Sequence, residues 1–216
     1  MATILPGDTD IYALTDSRLG LGRSAVEQAV LFLDSGIRII QYREKKMHGR
    51  QMLEECRQIA ALAKDAGACF IVNDHLDLAM LCGADGVHIG QDDIDIKDAR
   101  ELLGPGMIIG VSTHSPQQAQ KAAQAGADYI GVGPIFATKT KEDVVDPVGF
   151  EYLDWAAANA TVPFVAIGGI KASNIGEVAK HGAKCCAMVS ELTGAGNIAE
   201  KVLQCRQAMK AGAKGW

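Results

Sequence analysis

The chain has no Cys-x-x-Cys pair, although six of its 216 residues are cysteine, at 56, 69, 82, 185, 186 and 205. That spacing gives no support to a zinc site or a thioredoxin-type redox motif. Several of these cysteines sit in apolar runs, where a free buried thiol is the ordinary state, so a reduced, cytoplasmic setting is expected. No apolar run approaches the roughly 20 residues that cross a bilayer, which argues against a membrane protein. Asp8 and Asp10 stand near the N-terminus, with no basic stretch leading into an apolar one, and no secretory signal is expected. An excess of positive charge is also missing. Asp and Glu number 26 against 21 Lys and Arg, a net charge of −5, which disfavours nucleic acid and anionic membranes as partners. There is neither a Ser/Gly-rich linker nor a low-complexity run, and the expectation is one domain over residues 1–216. A core of that size buries roughly 70–75% of the unfolded surface without disulfide staples.

What the chain does have is a regular alternation. Polar clusters follow β-like apolar runs: Gln41-Tyr42-Arg43-Glu44-Lys45 after 37–40, Asn73-Asp74 after 69–72, and Gly90-Gln91-Asp92-Asp93 after 86–89. Ser112-Thr113 follows 107–111, Thr138-Lys139-Thr140-Lys141 comes after 129–132, and Gly168-Gly169 follows 164–167. Helix-like stretches stop at Gly36, Gly67, Gly83, Gly104, Gly126, Asn159 and Gly182, and a strand-like run begins within a few residues of each. With Ile11-Tyr12-Ala13-Leu14 as the first, eight strands result, at roughly 27 residues per βα unit, near the lower size for a (β/α)8 TIM barrel. Continuous apolar runs suit parallel strands buried on both faces. Met52, Leu53, Cys56, Ile59, Ala60 and Ala63 share one helical face. Ser24 with Glu27, and Ser115 with Gln118, read as capping boxes, and Pro116 sits at the first helical position. Residues 136–149 lack periodicity, as a functional loop does.

Four constellations carry chemistry. Asp74 and Asp93 follow consecutive strands, and two carboxylates with open positions suit Mg2+; Asp92 is an equal neighbour, and a helix N-cap is the plain alternative for either. Gln41, Arg43 and Lys45 alternate, so that in extended chain they face one way, and Arg with Lys suits a polyanion such as a diphosphate. Thr138, Thr140 and Lys141 offer hydroxyls and an ammonium on a loop. Gly168-Gly169 after the seventh strand and Val189-Ser190 after the eighth occupy the frequent phosphate site of this barrel. His88 lies inside a strand and reads as a core or rim histidine, outside the catalytic set.

Those stretches, together with Gly110-Val111-Ser112-Thr113-His114 and the run from Gly126 through Gly131-Val132-Gly133-Pro134-Ile135-Phe136, resemble the thiamine phosphate synthase family in family order from the first strand to the eighth. The resemblance implies joining a hydroxymethylpyrimidine diphosphate to a thiazole phosphate with release of pyrophosphate, with Mg2+ held by Asp74 and Asp93. It implies pyrimidine diphosphate contacts from Gln41, Arg43, Lys45, Asn73, Ser112 and Lys141, of which Arg43, Lys45, Ser112 and Lys141 form the catalytic set. Thr138, Thr140, Gly169, Val189 and Ser190 are the implied thiazole phosphate contacts. Rival readings are a thiazole tautomerase on the same barrel, which does not need the diphosphate–metal set, and a non-catalytic thiazole- or thiamine-phosphate-binding regulator. A sugar-phosphate isomerase barrel leaves the aspartates and the Gln41–Lys45 group unexplained.

Overall fold

The computed structural model describes residues 8–45, 47–138, 140 and 145–213. Lys46, Lys139 and Lys141 lie outside the described residues. Eight short strands run parallel in chain order: β1 Ile11–Leu14, β2 Ile39–Tyr42, β3 Cys69–Asn73, β4 Gly86–Ile89, β5 Ile108–Thr113, β6 Tyr129–Val132, β7 Phe164–Ile167 and β8 Cys186–Met188. β8 pairs with β1 and closes the barrel. Between and after them come α1 Ala25–Asp34, α2 Gly49–Asp65, α3 Leu76–Cys82, α4 Ile96–Leu103, α5 Pro116–Gln124, α6 Gly149–Asn159, α7 Ile175–Lys180, α8 Ser190–Thr193 and α9 Ile198–Gly212. The chain therefore has the expected (β/α)8 TIM-barrel architecture.

The apolar runs are continuous because successive strand residues enter two different cores. Tyr12, Leu14, Ile39, Ile71, Ile108, Tyr129 and Val165 pack inside the barrel. Ile11, Ala13, Ile40, Phe70, Val72, Val87, Ile109 and Ile130 pack outward against the helices. The period-two alternation of a strand assigns each side chain to one core or the other. It also sets the inward parity of Gln41 and Arg43 on and after β2, of Asn73 on β3, and of His88 on β4. Three strands run further than expected. Gln41 and Tyr42 belong to β2, Asn73 to β3, and Ser112 and Thr113 to β5, rather than following them. In parallel sheet the backbone of a polar residue is satisfied by its neighbours, so polarity of the side chain does not end the strand.

The six glycine stops have left-handed backbones, with φ between 62° and 98°. Asn159 is the last residue of α6. Ser24 and Glu27 form the expected reciprocal box: the Glu27 N–H donates to Ser24 Oγ at 3.2 Å, and the Ser24 N–H donates to Glu27 Oε2 at 2.8 Å. Ser24→Ala is expected to lower stability by about 1 kcal/mol, read as a shift of the urea midpoint with unchanged slope. The second box is only half formed. Ser115 Oγ accepts from the Gln118 N–H, but the Gln118 side chain turns to the His114 N–H at 2.6 Å. Neither Asp74 nor Asp93 is a helix cap. His75 precedes α3, and Asp95 caps α4 by accepting from the Lys97 N–H.

The seam of the barrel is locked from the far end of the chain. Arg206 of α9 donates to both carboxylate oxygens of Asp10, just before β1, and to the Ser35 and Gly36 carbonyls at the end of α1. α9 also packs backbone to backbone on α7, since a Cβ on Gly212 would overlap the Gly176 carbonyl.

Candidate active site

The carboxyl ends of the strands open into two cavities that share Leu14, Arg43, Ser112, Gly131, Ile167 and Ala187. The outer one is bordered by Thr138 and Thr140 of the β6–α6 loop, by Gly168 and Gly169 after β7, and by Val189 and Ser190 after β8. The inner one is bordered by Gln41, Asn73, His88, Tyr12 and Tyr129. The fold thus brings together eleven of the expected site residues: Gln41, Arg43, Asn73, Ser112, Thr138, Thr140, Gly169, Val189 and Ser190 line the cavities, and Lys45 reaches Asp74 beside them. Asp93 borders neither cavity. It sits in the loop after β4, where its Oδ2 accepts from the Gly90 N–H at 2.6 Å. Lys141 lies outside the described residues.

Arg43 does not stand as an open cation. Its guanidinium donates to Asp16 Oδ2 at 3.0 Å, and both side chains are 3% exposed. Asp16 is a hub. It also accepts from the Arg18 N–H and guanidinium and from the Leu19 N–H. Arg18 in turn donates to the Thr140 carbonyl at 3.3 Å, tying the loop after β1 to the loop after β6. A buried charge pair stands only when its remaining lone pairs and protons are satisfied, and here the carboxylate is saturated by donors. Asp16 is a site residue that the sequence reading passed over. The signal was available, since Thr15-Asp16 follows the first apolar run just as the other polar clusters follow theirs.

Lys45 and Asp74 meet at 2.7 Å on the exposed rim. Asp74 is one of two non-glycine residues with positive φ among the described residues, at 63°. The N–H of Asp74 continues the ladder to the His88 carbonyl, and the His75 N–H closes back on the Asn73 carbonyl at 2.8 Å. The sheet thus ends in a three-residue turn that holds Asp74 in a left-handed conformation. Asp tolerates that region better than most residues, and backbone strain of this kind concentrates at ligand clamps. Among the described residues no group of three or more His, Cys, Asp or Glu is placed to hold a metal. Asp74 and Asp93 follow the adjacent strands β3 and β4, and their carboxylates are hard oxygen donors of the kind that Mg2+ takes.

The inner cavity has a polar floor built from strand residues. Gln41 Nε2 donates to Tyr12 Oη at 2.8 Å, Tyr12 Oη meets Tyr129 Oη at 2.8 Å, and Tyr129 Oη meets His88 Nδ1 at 3.0 Å. His88 Nε2 then meets Ser112 Oγ at 2.9 Å. Burial pushes both phenols well above their ordinary pKa, so they remain O–H groups. Gln41 Oε1 is buried without a hydrogen-bond partner. An orphaned buried acceptor is costly, and it points to a donor supplied by a ligand.

The fold and the cavity at the carboxyl ends of its strands are those of the TIM-barrel enzymes. A family model described as thiamine monophosphate synthase matches residues 11–192. The thiamine-phosphate synthase of Lawsonia intracellularis is 58% identical over 212 residues, covering 97% of this chain and 98% of that protein. That of Pelotomaculum thermopropionicum is 56% identical over 195 residues, covering 90% of this chain and 89% of its own. The solved thiamine phosphate pyrophosphorylase from Pyrococcus furiosus superposes with a TM-score of 0.87 at 32% identity, over 97% of this chain and 99% of that one. The chain belongs to the thiamine monophosphate synthase family.

Proposed function

We propose that the protein is a thiamine-phosphate synthase that transfers the hydroxymethylpyrimidine group from its diphosphate to the ring nitrogen of thiazole phosphate, releasing pyrophosphate. The observation that carries this reading is the joined pair of cavities. One has a polar floor with an unfilled acceptor, the other a mouth bordered by glycine and threonine, and Arg43 and Ser112 border both. Two flat heterocycles that must meet face to face need such a shared boundary, and positioning of that kind supplies on the order of 7–11 kcal/mol.

The chain's own residues then have distinct tasks. Breaking the C–O bond puts negative charge on the departing diphosphate and positive charge on the pyrimidine methylene, which the aminopyrimidine delocalises. Arg43, Lys45 and Lys141 set cationic groups where the leaving-group charge grows, and Ser112 lends a hydroxyl to the same boundary. Gln41 and Asn73 hold the pyrimidine on the inner floor. Thr138, Thr140, Gly169, Val189 and Ser190 hold the thiazole phosphate, with Gly169 allowing the backbone to come close. Asp74 and Asp93 would hold Mg2+, which supplies charge neutralisation for the diphosphate when bound. Closing the 136–149 loop would exclude the water that otherwise traps the cation as an alcohol.

The reading is tested by mixing the purified protein with pyrimidine diphosphate, thiazole phosphate and Mg2+ and following thiamine phosphate. Product is expected, with a loss of about 100-fold or more when the metal is chelated or in Asp93→Ala. A folded wild-type protein that binds thiazole phosphate yet makes no product would leave the tautomerase or the regulator standing instead.

A further inference from the structure

The floor of the inner cavity is a single file of hydrogen bonds: Gln41, Tyr12, Tyr129, His88, Ser112. Its direction follows from Gln41 and from the rule that a buried hydroxyl proton is bonded. The Gln41 amide nitrogen is donor-only, so the Tyr12 oxygen accepts from it at 2.8 Å. The one proton of the buried Tyr12 is bonded when it goes to Tyr129 Oη. The one proton of Tyr129 goes to His88 Nδ1. A ring nitrogen that accepts leaves the proton on the other nitrogen. Hence His88 Nε2–H donates to Ser112 Oγ at 2.9 Å, and the Ser112 proton is left to point away from His88. Ser112 borders both cavities, while Gln41 Oε1 is the buried acceptor without a partner. The two ends of the file thus present one acceptor and one donor.

The sheet makes room for this file by leaving side chains out. His88, Gly110 and Tyr129 are neighbours in register across β4, β5 and β6. A Cβ on Gly110 would overlap the Tyr129 ring, and one on Gly131 would lie 3.4 Å from His88 Cε1. The Tyr129 and His88 rings are 5.5 Å apart at 37°. Two glycines in mid-strand weaken a sheet unless something approaches closely, and here the tyrosine and histidine do.

We infer that His88 is a positioning residue: held as the Nε2–H tautomer by Tyr129, it turns the Ser112 hydroxyl proton into the cavity as a fixed donor, with Gln41 Oε1 as the matching fixed acceptor. The inference rests on the synthase reading for its consequence in catalysis, but not for the tautomer itself. A ligand group with a donor edge toward Gln41 and an acceptor oxygen or nitrogen toward Ser112 is favoured. One with those edges reversed meets two mismatched groups.

The first test is a two-bond 15N–1H correlation spectrum of ring-labelled wild-type protein. Nδ1 is expected to be bare and Nε2 protonated. A proton on Nδ1, alone or together with Nε2, would overturn the inference. Tyr129→Phe keeps the ring over Gly110 but removes the hydroxyl, and the Nδ1–H tautomer is expected to become populated. An unchanged spectrum would also overturn it. The kinetic test compares His88→Gln, whose amide nitrogen reaches the Nε2 position, with His88→Asn, whose nitrogen stops near Nδ1. His88→Asn is expected to lose about 100-fold in kcat/KM for the pyrimidine diphosphate, with KM for thiazole phosphate unchanged, and His88→Gln to recover all but about tenfold. Equal losses in the two variants would reduce His88 to packing. If wild type itself makes no thiamine phosphate, the synthase reading fails, and the tautomer spectrum still decides the inference.

Discussion

Asp16→Ala is expected to be among the most damaging single substitutions in this chain. It removes the carboxylate that holds Arg43 at 3.0 Å and leaves a guanidinium that is 3% exposed with no counter-charge. Breaking a buried pair by deleting one partner costs about 3–5 kcal/mol. Asp16 also organises Arg18 and the turn after β1, and through Arg18 it reaches the Thr140 carbonyl of the loop beside the outer cavity. Under the synthase proposal a misplaced Arg43 would bear on the leaving group, where a shift of about 1 Å costs about 100-fold in rate. Urea denaturation and initial rates of thiamine phosphate formation, measured on the same preparation, check both effects. The double substitution Asp16→Ala with Arg43→Met separates them. It is expected to regain most of the lost stability, because no charge is left buried, and none of the lost rate. Full stability in Asp16→Ala alone would show that water reaches the guanidinium.

The second large effect is expected at Gly168→Ala. Gly168 has φ 101°, and an added Cβ would overlap the Cα and Cβ of Pro134 and come within 3.1 Å of the Ile135 amide nitrogen. These are backbone and proline-ring atoms on the neighbouring β6–α6 loop, and the loops are cross-linked there: the Phe136 N–H donates to the Gly168 carbonyl at 3.0 Å and the Ile135 N–H to the Ile167 carbonyl at 2.9 Å. A left-handed conformation costs a side chain about 1–2 kcal/mol, and overpacking adds about 1–3 kcal/mol. Relief requires the Gly168-Gly169 turn to move away from the outer cavity. KM for thiazole phosphate should therefore rise by about tenfold or more, with KM for the pyrimidine diphosphate changed much less. An unchanged KM for thiazole phosphate would place that phosphate elsewhere.

The barrel was legible because its physics is repetitive. Strands buried on both faces need unbroken apolar runs, such as 69–72 and 164–167, and helices that end in a left-handed residue need glycine, as at Gly36 and Gly182. The polar clusters were legible for the same reason, since each marks the end of such a run. Partnerships were not legible. Nothing near Arg43 in the sequence points to Asp16, because their meeting depends on β1 lying beside β2. Tyr12 and Tyr129 stand within strand-like runs and are buried; that their hydroxyls meet depends on barrel closure, which sets residues 117 positions apart at 2.8 Å. His88 looked like a rim histidine for want of visible partners, and its partners lie on β5 and β6. For Asp93 the sequence left a helix cap open as the alternative to a ligand. Asp93 stands near enough to α4 to be its cap, but Asp95 takes that place.

The Arg206 bracket has a consequence for how the protein is made. The strands leave the ribosome in the order in which they pair, so β1 to β7 can assemble progressively, each new strand finding its neighbour already present. The join between β8 and β1 is different, because it links the earliest strand to the latest. Its side-chain fastener to Asp10, Ser35 and Gly36 is carried by α9, and α7 also awaits α9 as its backbone partner. Until that helix has been synthesised the β8–β1 join lacks its fastener, and a sheet not yet closed would expose β1 and β8 as unpaired edges. Those edges are the vulnerable feature of the unfinished chain, the place where a chaperone or a neighbouring nascent chain would attach.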